Sequence, residues 1–584
     1  MNTNSKPCQN CRQVFLVEPD DIAFYERMNV PSPTWCPQCR LIRRLIWRNM
    51  RSLYKRKCDH CHQEKIGVYA PDKPYKVFCS PCWWSDGWDE LEHGLTYNMN
   101  QPFFVQFSAL MHKVPLLARF VYEDTMVRSD YANMANNLKD CYLMFNSGGK
   151  VTPCQRCAYG DQVDLSNDCL DVSHCSRNEL CYECTITGSS YRLFYCRNSD
   201  SCRNCWFVKN CTGCSDCFGC VNLRNKSYHI FNQPYTKEGY AAKIAEMGFD
   251  SGSHSNVEKF KKLAGEFWLT APVKYYEGVQ NNNVSGNGIF NCKNVADSFY
   301  VIDTEDSKFC AFLFNKVRDS YDWTQYGDGG ELVYEMLQSG EGVYNNRFGW
   351  CIWRQSHDTE YGILNVNCSN CFGCIGLKNK QFCILNTQYS ETEYKELRQV
   401  IIGHMDKMPY VCKRGREFRY GEYFPPELSP FGYNESTAMD EFPVTETQAT
   451  TFNYPWFDME RYRGNYQVSL SSDAVPDSID DVADSILEEI IGCEKCGRAF
   501  RLIPMELAFY RNQRIPIPRL CFSCRYLARH ELRNPMQLFQ GHCMCVQPGH
   551  AHKGDPCSNR FQTSYSPDRK EIIYCESCFN SEVA

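Results

Sequence analysis

The sequence predicts a mainly β protein: a duplicated β-solenoid of about 21–22 residues per coil with helical caps, flanked by two modules of paired cysteines. Three observations predict it. Cys8-x2-Cys11 and Cys36-x2-Cys39 reappear as Cys493-x2-Cys496 and Cys521-x2-Cys524, at a constant offset of 485. Between residues 130 and 225, Cys154, Cys175, Cys196 and Cys217 are spaced by 21. The segment CSDCFGCVNLRNK at Cys214 returns as CSNCFGCIGLKNK at Cys368, an offset of 154. Self-similarity at such periods is the mark of stacked repeats.

The chain has 584 residues, enough for several domains, and a net charge of -6 that by itself names no partner. Its 39 cysteines favour CxxC pairs over a disulfide framework. The first residues, MNTNSKPCQNC, are polar, and no stretch approaches the roughly 18 apolar residues of a membrane span. The expectation is a soluble, reduced, cytoplasmic protein with no membrane partner.

The N-terminal module, residues 1–90, holds four pairs: Cys8/Cys11, Cys36/Cys39, Cys58/Cys61 and Cys79/Cys82. Zinc takes four soft ligands in a tetrahedron, and one CxxC turn supplies two. The gaps allow two sites, 8/11 with 36/39 and 58/61 with 79/82; buried free thiols are the plainer alternative. His60 and His62 flank a complete set and read as bystanders. The C-terminal module, 492–584, repeats the first site as Cys493, Cys496, Cys521 and Cys524. Its second site is degraded, and Cys543, Cys545, Cys575 and Cys578 are expected to form it. Cys557, His550 and His552 lie between and can substitute. About four structural zinc ions follow.

The stretch CQNCRQVFLVEPDDIAFYERMNVPSPTWCPQCRLIRR resembles the small bacterial family known as the probable zinc-ribbon domain. The likeness rests on Cys8, Cys11, Phe15, Phe24, Tyr25, Cys36, Cys39 and Arg40 and their 485-shifted equivalents, about 40 residues at each end. It implies zinc and a ribbon, and no activity. The whole layout also resembles cysteine-rich zinc-ribbon proteins of small-genome bacteria.

From Arg40 to Lys57 the chain has eight basic residues and no acidic one. At helical period Arg40, Arg44, Arg48, Arg51 and Lys55 share one face, opposite Ile42, Leu45, Ile46, Met50 and Leu53. Such a stripe can neutralise phosphates of a nucleic acid or the ribosome; it can equally pair with acidic residues elsewhere in the chain. Trp83, Trp84 and Trp88 suit base stacking or core packing.

The first solenoid half is placed at 91–250 and the second at 251–406, closed by helices over 237–247 and 391–405. A joining helix is expected over 256–268. Small thiols suit a narrow interior, yet these cysteines are separated by multiples of three, whereas strand faces alternate by two. Zinc knuckles, for instance 181/184 with 202/205, are the competing reading. An iron–sulfur reading of Cys211, Cys214, Cys217 and Cys220 is weaker, because the run ends Cys-Val-Asn and not in CP. In the second half Asp297, Asp319 and Glu341 keep a beat of 22. Residues 407–491 read as a Pro- and aromatic-rich arm followed by an acidic amphipathic helix over 478–491, whose carboxylates suit a basic helix.

Phosphate-cradling, dinucleotide and hydrolase motifs are missing from the sequence. The expected function is a non-enzymatic zinc-binding scaffold that contacts nucleic acid or a ribonucleoprotein through the Arg40–Lys55 stripe. The alternative is a glycan-binding or glycan-cleaving solenoid with Asp297, Asp306, Asp319 and Asp322 as its acidic set. In a third reading the two end modules pack on each other or on a second copy of the chain.

Overall fold

The computed structural model describes residues 4–583 except 150, 151, 463, 465, 551 and 554. Two parallel β-solenoid tracts form its centre. In the first, Ser173 pairs with Thr185 and Thr185 with Arg197, and Leu170 leads to Tyr182 and Phe194. Each step is twelve residues, so one coil is twelve residues long and not 21–22. In the second tract the step runs from eleven, as in Asn282 to Lys293, to thirteen, as in Glu331 to Tyr344. The mainly β solenoid stands; its coil is smaller than the cysteine spacing suggested.

The twelve-residue coil is four sides of three residues. From Arg156 to Asn210 every third residue is left-handed, for example Asp168 at φ 49° and Asn198 at φ 47°. A left-handed residue disfavours most L side chains by about 1–2 kcal/mol, so such residues normally occur singly. Here each one turns a corner, and Asn and Asp, whose side chains tolerate this region, fill five of the nineteen. The residue directly after each left-handed one points inward. Cys154, Cys157, Val163, Ser166, Cys169, Val172, Cys175 and Asn178 are all buried. Multiples of three, which fit no two-residue alternation, are therefore the interior column itself. The 21-residue spacing is seven such triplets.

Backbone bonding explains why thiols fill that column. Two amides of each triplet join the ladder: Asn167 N donates to Asn178 O at 2.9 Å and Asp168 N to Gln155 O at 2.9 Å. The third amide, of the inward residue, points into the interior and needs another acceptor. Where the inward side chain one coil earlier is Ser or Cys, it accepts that amide. Asn178 N reaches Ser166 Oγ at 3.1 Å and Cys202 N reaches Ser190 Oγ at 3.1 Å. Cys157 accepts likewise from Cys169 N, and Cys205 from Cys217 N. The same side chains donate to the carbonyl two residues back: Ser190 Oγ to Gly188 O at 2.7 Å, and Cys205 Sγ to Arg203 O at 3.2 Å. Cysteine fits a narrow core and serves both partners.

Helices Lys237–Glu246 and Glu391–Lys407 follow the two tracts where caps were expected. One outer face of the first tract carries Leu170, Tyr182, Phe194, Phe218 and Ile230 in register. Helix His254–Trp268 covers it with Val257, Phe260 and Ala264. Residues 478–491 are not the expected helix but two short 3-10 turns, Ile479–Asp481 and Asp484–Leu487. Their Ile479, Val482 and Ile486 lie on the same apolar face. Residues 407–476 contribute buried Tyr423, Phe424, Phe431 and Tyr433.

Candidate metal centres and their seats on the solenoid

Each end module places a CxxC turn between two short antiparallel strands and a second CxxC at a helix start. In the first site Asn4–Pro7 pairs with Val14–Val17 around Cys8 and Cys11, and Cys36 caps helix Pro37–Leu45. Cys58 and Cys61 sit between Tyr54–Lys57 and Glu64–Gly67, with Cys79 capping Ser80–Trp84. Cys493 and Cys496 follow Ile491–Gly492, and Cys521 caps Phe522–Glu531. The positive end of a helix favours a thiolate there.

Sulfurs of Cys8, Cys11, Cys36 and Cys39 lie within 4.8 Å of one another, as do those of Cys58, Cys61, Cys79 and Cys82 and of Cys493, Cys496, Cys521 and Cys524. Cys11–Cys36, Cys61–Cys79 and Cys496–Cys521 are each 3.8 Å apart. That is far longer than a disulfide and equals the tetrahedron edge, about 3.8 Å, set by metal–sulfur bonds of about 2.3 Å. In each site the first sulfur accepts an amide of the third cysteine at 3.2 Å: Cys36 N to Cys8, Cys79 N to Cys58 and Cys521 N to Cys493. His60 and His62 stay outside their set.

The fourth set differs from expectation. It is Cys543, Cys557, Cys575 and Cys578, with Cys557 in place of Cys545. Cys557 and Cys575 sulfurs are 4.0 Å apart, and Cys575 N donates to Cys543 Sγ at 3.2 Å as in the other sites. Strand Phe539–His542 pairs with Arg560–Thr563, and past the strand ends Cys543 N donates to Asn559 O at 2.9 Å and Cys557 N to Cys545 O at 3.1 Å, which brings Cys557 beside Cys543. The central cysteines form none of these metal-capable groups among the described residues.

The arginine stripe is interior. The helix ends at Leu45, and the chain turns where Asn49 Nδ2 donates to Ser52 O and Val68 O at 2.8 Å. Arg40, Arg44 and Arg48 are buried, which corrects the reading of one exposed face along 40–57. Asp322 accepts from Arg40 Nε at 2.9 Å and Arg44 Nη1 at 3.0 Å. Glu335 holds Arg43 at 2.7 Å and Arg44 at 3.0 Å, and Glu422 holds Arg43 at 2.6 Å. Three arginines meet three carboxylates, so the cluster is neutral. Burial pushes the Glu335 carboxyl up, while Arg43 and Arg44 pull it back. Among the described residues no carboxylate forms an ion pair with Arg48, and burial pushes its pKa down to about 10. Arg51 pairs with Asp440 at 2.7 Å and lies 3.5 Å over the Tyr526 ring. Lys55 is exposed.

The C-terminal module repeats the device. Asp171 takes Arg525 at 3.2 Å and Arg529 at 2.8 Å, and Glu506 takes Arg525 at 3.0 Å. Burial raises the Asp171 carboxyl and the two arginines oppose it. Arg533 pairs with Glu441 at 2.6 Å. Burial works against the Glu441 charge, but Arg533 and His530 outweigh it and hold the group below the usual carboxylate range. Two acidic residues of 478–491 face arginines of the module: Asp484 binds Arg511 at 2.5 Å and Asp480 binds Arg514 at 2.7 Å. The acidic set on the second tract is likewise engaged. Asp322 is sealed under the module, Asp319 binds Arg27 at 2.9 Å, and Asp306 accepts from Asn294 at 2.8 Å; Asp297 is fixed through its backbone amide, which donates to Ser285 Oγ at 2.8 Å. Trp83 is core: its indole donates to Pro115 O at 3.1 Å.

No family model matches the chain, and no curated protein matches it. Among solved structures it is similar to one titled "putative acetyltransferase from Desulfovibrio desulfuricans G20", at 8% identity, over 51% of this chain and 85% of that one, with a TM-score of 0.10. A superposition at that score carries no argument about fold or activity. No helix among the described residues is long and apolar enough to cross a membrane.

Proposed function

We propose that the protein is a non-catalytic scaffold in which four structural zinc ions rigidify two end modules, and the modules lock onto the solenoid through buried arginine–aspartate clusters. Four cysteine sulfurs at each centre support zinc, because soft thiolates in a tetrahedron select it and a full thiolate set leaves no open position for substrate. The observation that carries the reading is the repeated seat. Arg40 and Arg44 close on Asp322, and Arg525 and Arg529 close on Asp171. Arg40, Arg44 and Arg51 of the basic stripe are thereby committed to the chain's own carboxylates, which supports internal docking over contact with nucleic acid. The test is metal content followed by chelation. About four zincs in the end modules, and loss of amide protection in both when chelated while the solenoid persists, is the expected result. A chain that keeps both modules protected without metal overturns the reading.

A further inference from the structure

The C-terminal module has a second donor group beside its fourth cysteine set. Cys545, His550, His552 and Cys578 place their ligand atoms within 4.8 Å of one another. Cys578 belongs to both groups and lies within hydrogen-bonding reach of Cys575, Cys543, Cys557 and Cys545. Cys545 is fully buried, and its sulfur is 3.0 Å from His550 Nδ1. Both ring nitrogens of His552 are buried and have no hydrogen-bond partner among the described residues. A buried orphan of this kind costs about 1–3 kcal/mol unless something binds it.

We infer that this group holds a fifth zinc ion, ligated by Cys545, His550, His552 and Cys578, with the Cys578 thiolate bridging it to the zinc of Cys543, Cys557 and Cys575. Two thiolates and two imidazoles are a familiar structural donor set for zinc. The charge balance favours the pair. One zinc with four thiolates carries two negative charges in a buried site. Two zincs with five thiolates and two neutral imidazoles carry one, and burial penalises the larger charge. The present contact between Cys545 and His550 is shorter than the roughly 3.5 Å of a tetrahedral nitrogen–zinc–sulfur pair. A bound ion would part them by about half an ångström, whereas a plain thiol–imidazole hydrogen bond would not. The inference rests on the four-cysteine set beside it holding zinc.

The test is native mass spectrometry of the full-length protein purified with zinc, wild type against the double variant His550→Ala/His552→Ala. The expected result is five zincs in the wild type and one fewer in the variant. Cobalt substitution gives a second readout independent of the variant's folding. The wild type should show a mixed sulfur–nitrogen spectrum for one equivalent alongside the four all-thiolate ones. Equal counts in wild type and variant, with only all-thiolate cobalt spectra, would overturn the fifth ion while leaving the four-zinc reading intact. A C-terminal module with no metal overturns both.

Discussion

An inward thiol of the solenoid accepts the amide of the next coil and donates to its own coil's carbonyl, and this pair of bonds sets its replacements. Cys310 donates to Lys308 O at 3.5 Å and accepts from Trp323 N. Cys310→Ser should keep both bonds and cost little, as Ser166, Ser190 and Ser199 already do elsewhere in the interior. Cys310→Ala orphans the Trp323 amide and should cost about 1–3 kcal/mol, read as a lower urea midpoint. The same burial makes stability alkali-sensitive. It pushes Cys175 up to about 11 and Cys154 and Cys310 up to about 12, from 9.0 in the open chain. These folded values are raised, so their contribution is complete below pH 9. It is lost as pH rises from 9 through 11–12, because the unfolded thiols ionise first. Each can remove up to about 1.4 kcal/mol per pH unit. A urea midpoint that stays flat from pH 8 to 10.5 would contradict this. At this scale the terminal CxxC pairs marked sets whose sulfurs converge, but spacing alone did not separate them from central pairs such as 181/184 and 202/205, which join no such group among the described residues. The sequence offered Cys557 only as a substitute for Cys545, because backbone pairing between distant segments and not spacing brings Cys557 to Cys543.

The seats operate at the scale of elements. Helices Pro37–Leu45 and Phe522–Glu531 each deliver two arginines, four residues apart, to one carboxylate of a solenoid coil. Asp322→Asn leaves two buried guanidiniums short of a counter-charge and should cost about 3–5 kcal/mol at that interface. The N-terminal module should then lose protection from hydrogen exchange while its zinc count stays unchanged. Asp171→Asn should do the same to the C-terminal module alone. Loss of zinc together with undocking would show that the centres depend on the seat. The i, i+4 arginines were readable in the sequence as one face of a helix. That the face points inward was not, since the acceptors lie some 280 residues away in sequence.

For the whole molecule, the two duplications are crossed. The N-terminal module seats on the second solenoid tract, where Phe24 stacks on Tyr321 at 3.9 Å and 8°. The C-terminal module seats on the first tract, where Tyr510 meets Tyr182 edge-on at 5.5 Å. Each module also closes an apolar face that the narrow thiol interior cannot absorb. Removing residues 492–584 should therefore expose the aromatic face around Leu170, Tyr182 and Phe194 and drive aggregation. Light scattering of the truncated chain, with Asp171→Asn as the full-length comparison, checks this. A monodisperse truncated chain would mean that helix His254–Trp268 is cover enough.

Local covalent pattern determined a good deal on its own. Paired cysteines marked three of the four four-cysteine sets, their offset of 485 marked the duplication, and the repeated cysteines marked a solenoid. Those features depend on neighbours a few residues apart, or on a period, and both are written in order along the chain. Coil length was only half legible. Every third residue is inward, so 21 and 12 both recur; Cys157, Cys169 and Cys181 and then Cys205 and Cys217 carry the true step. Only the ladder register between coils selects twelve. Tertiary structure alone decided that the arginine stripe is interior and that Cys578 serves two donor groups. Both are contacts between distant segments, and a charge or a thiol reads the same in sequence whether its partner is water or a carboxylate 280 residues on.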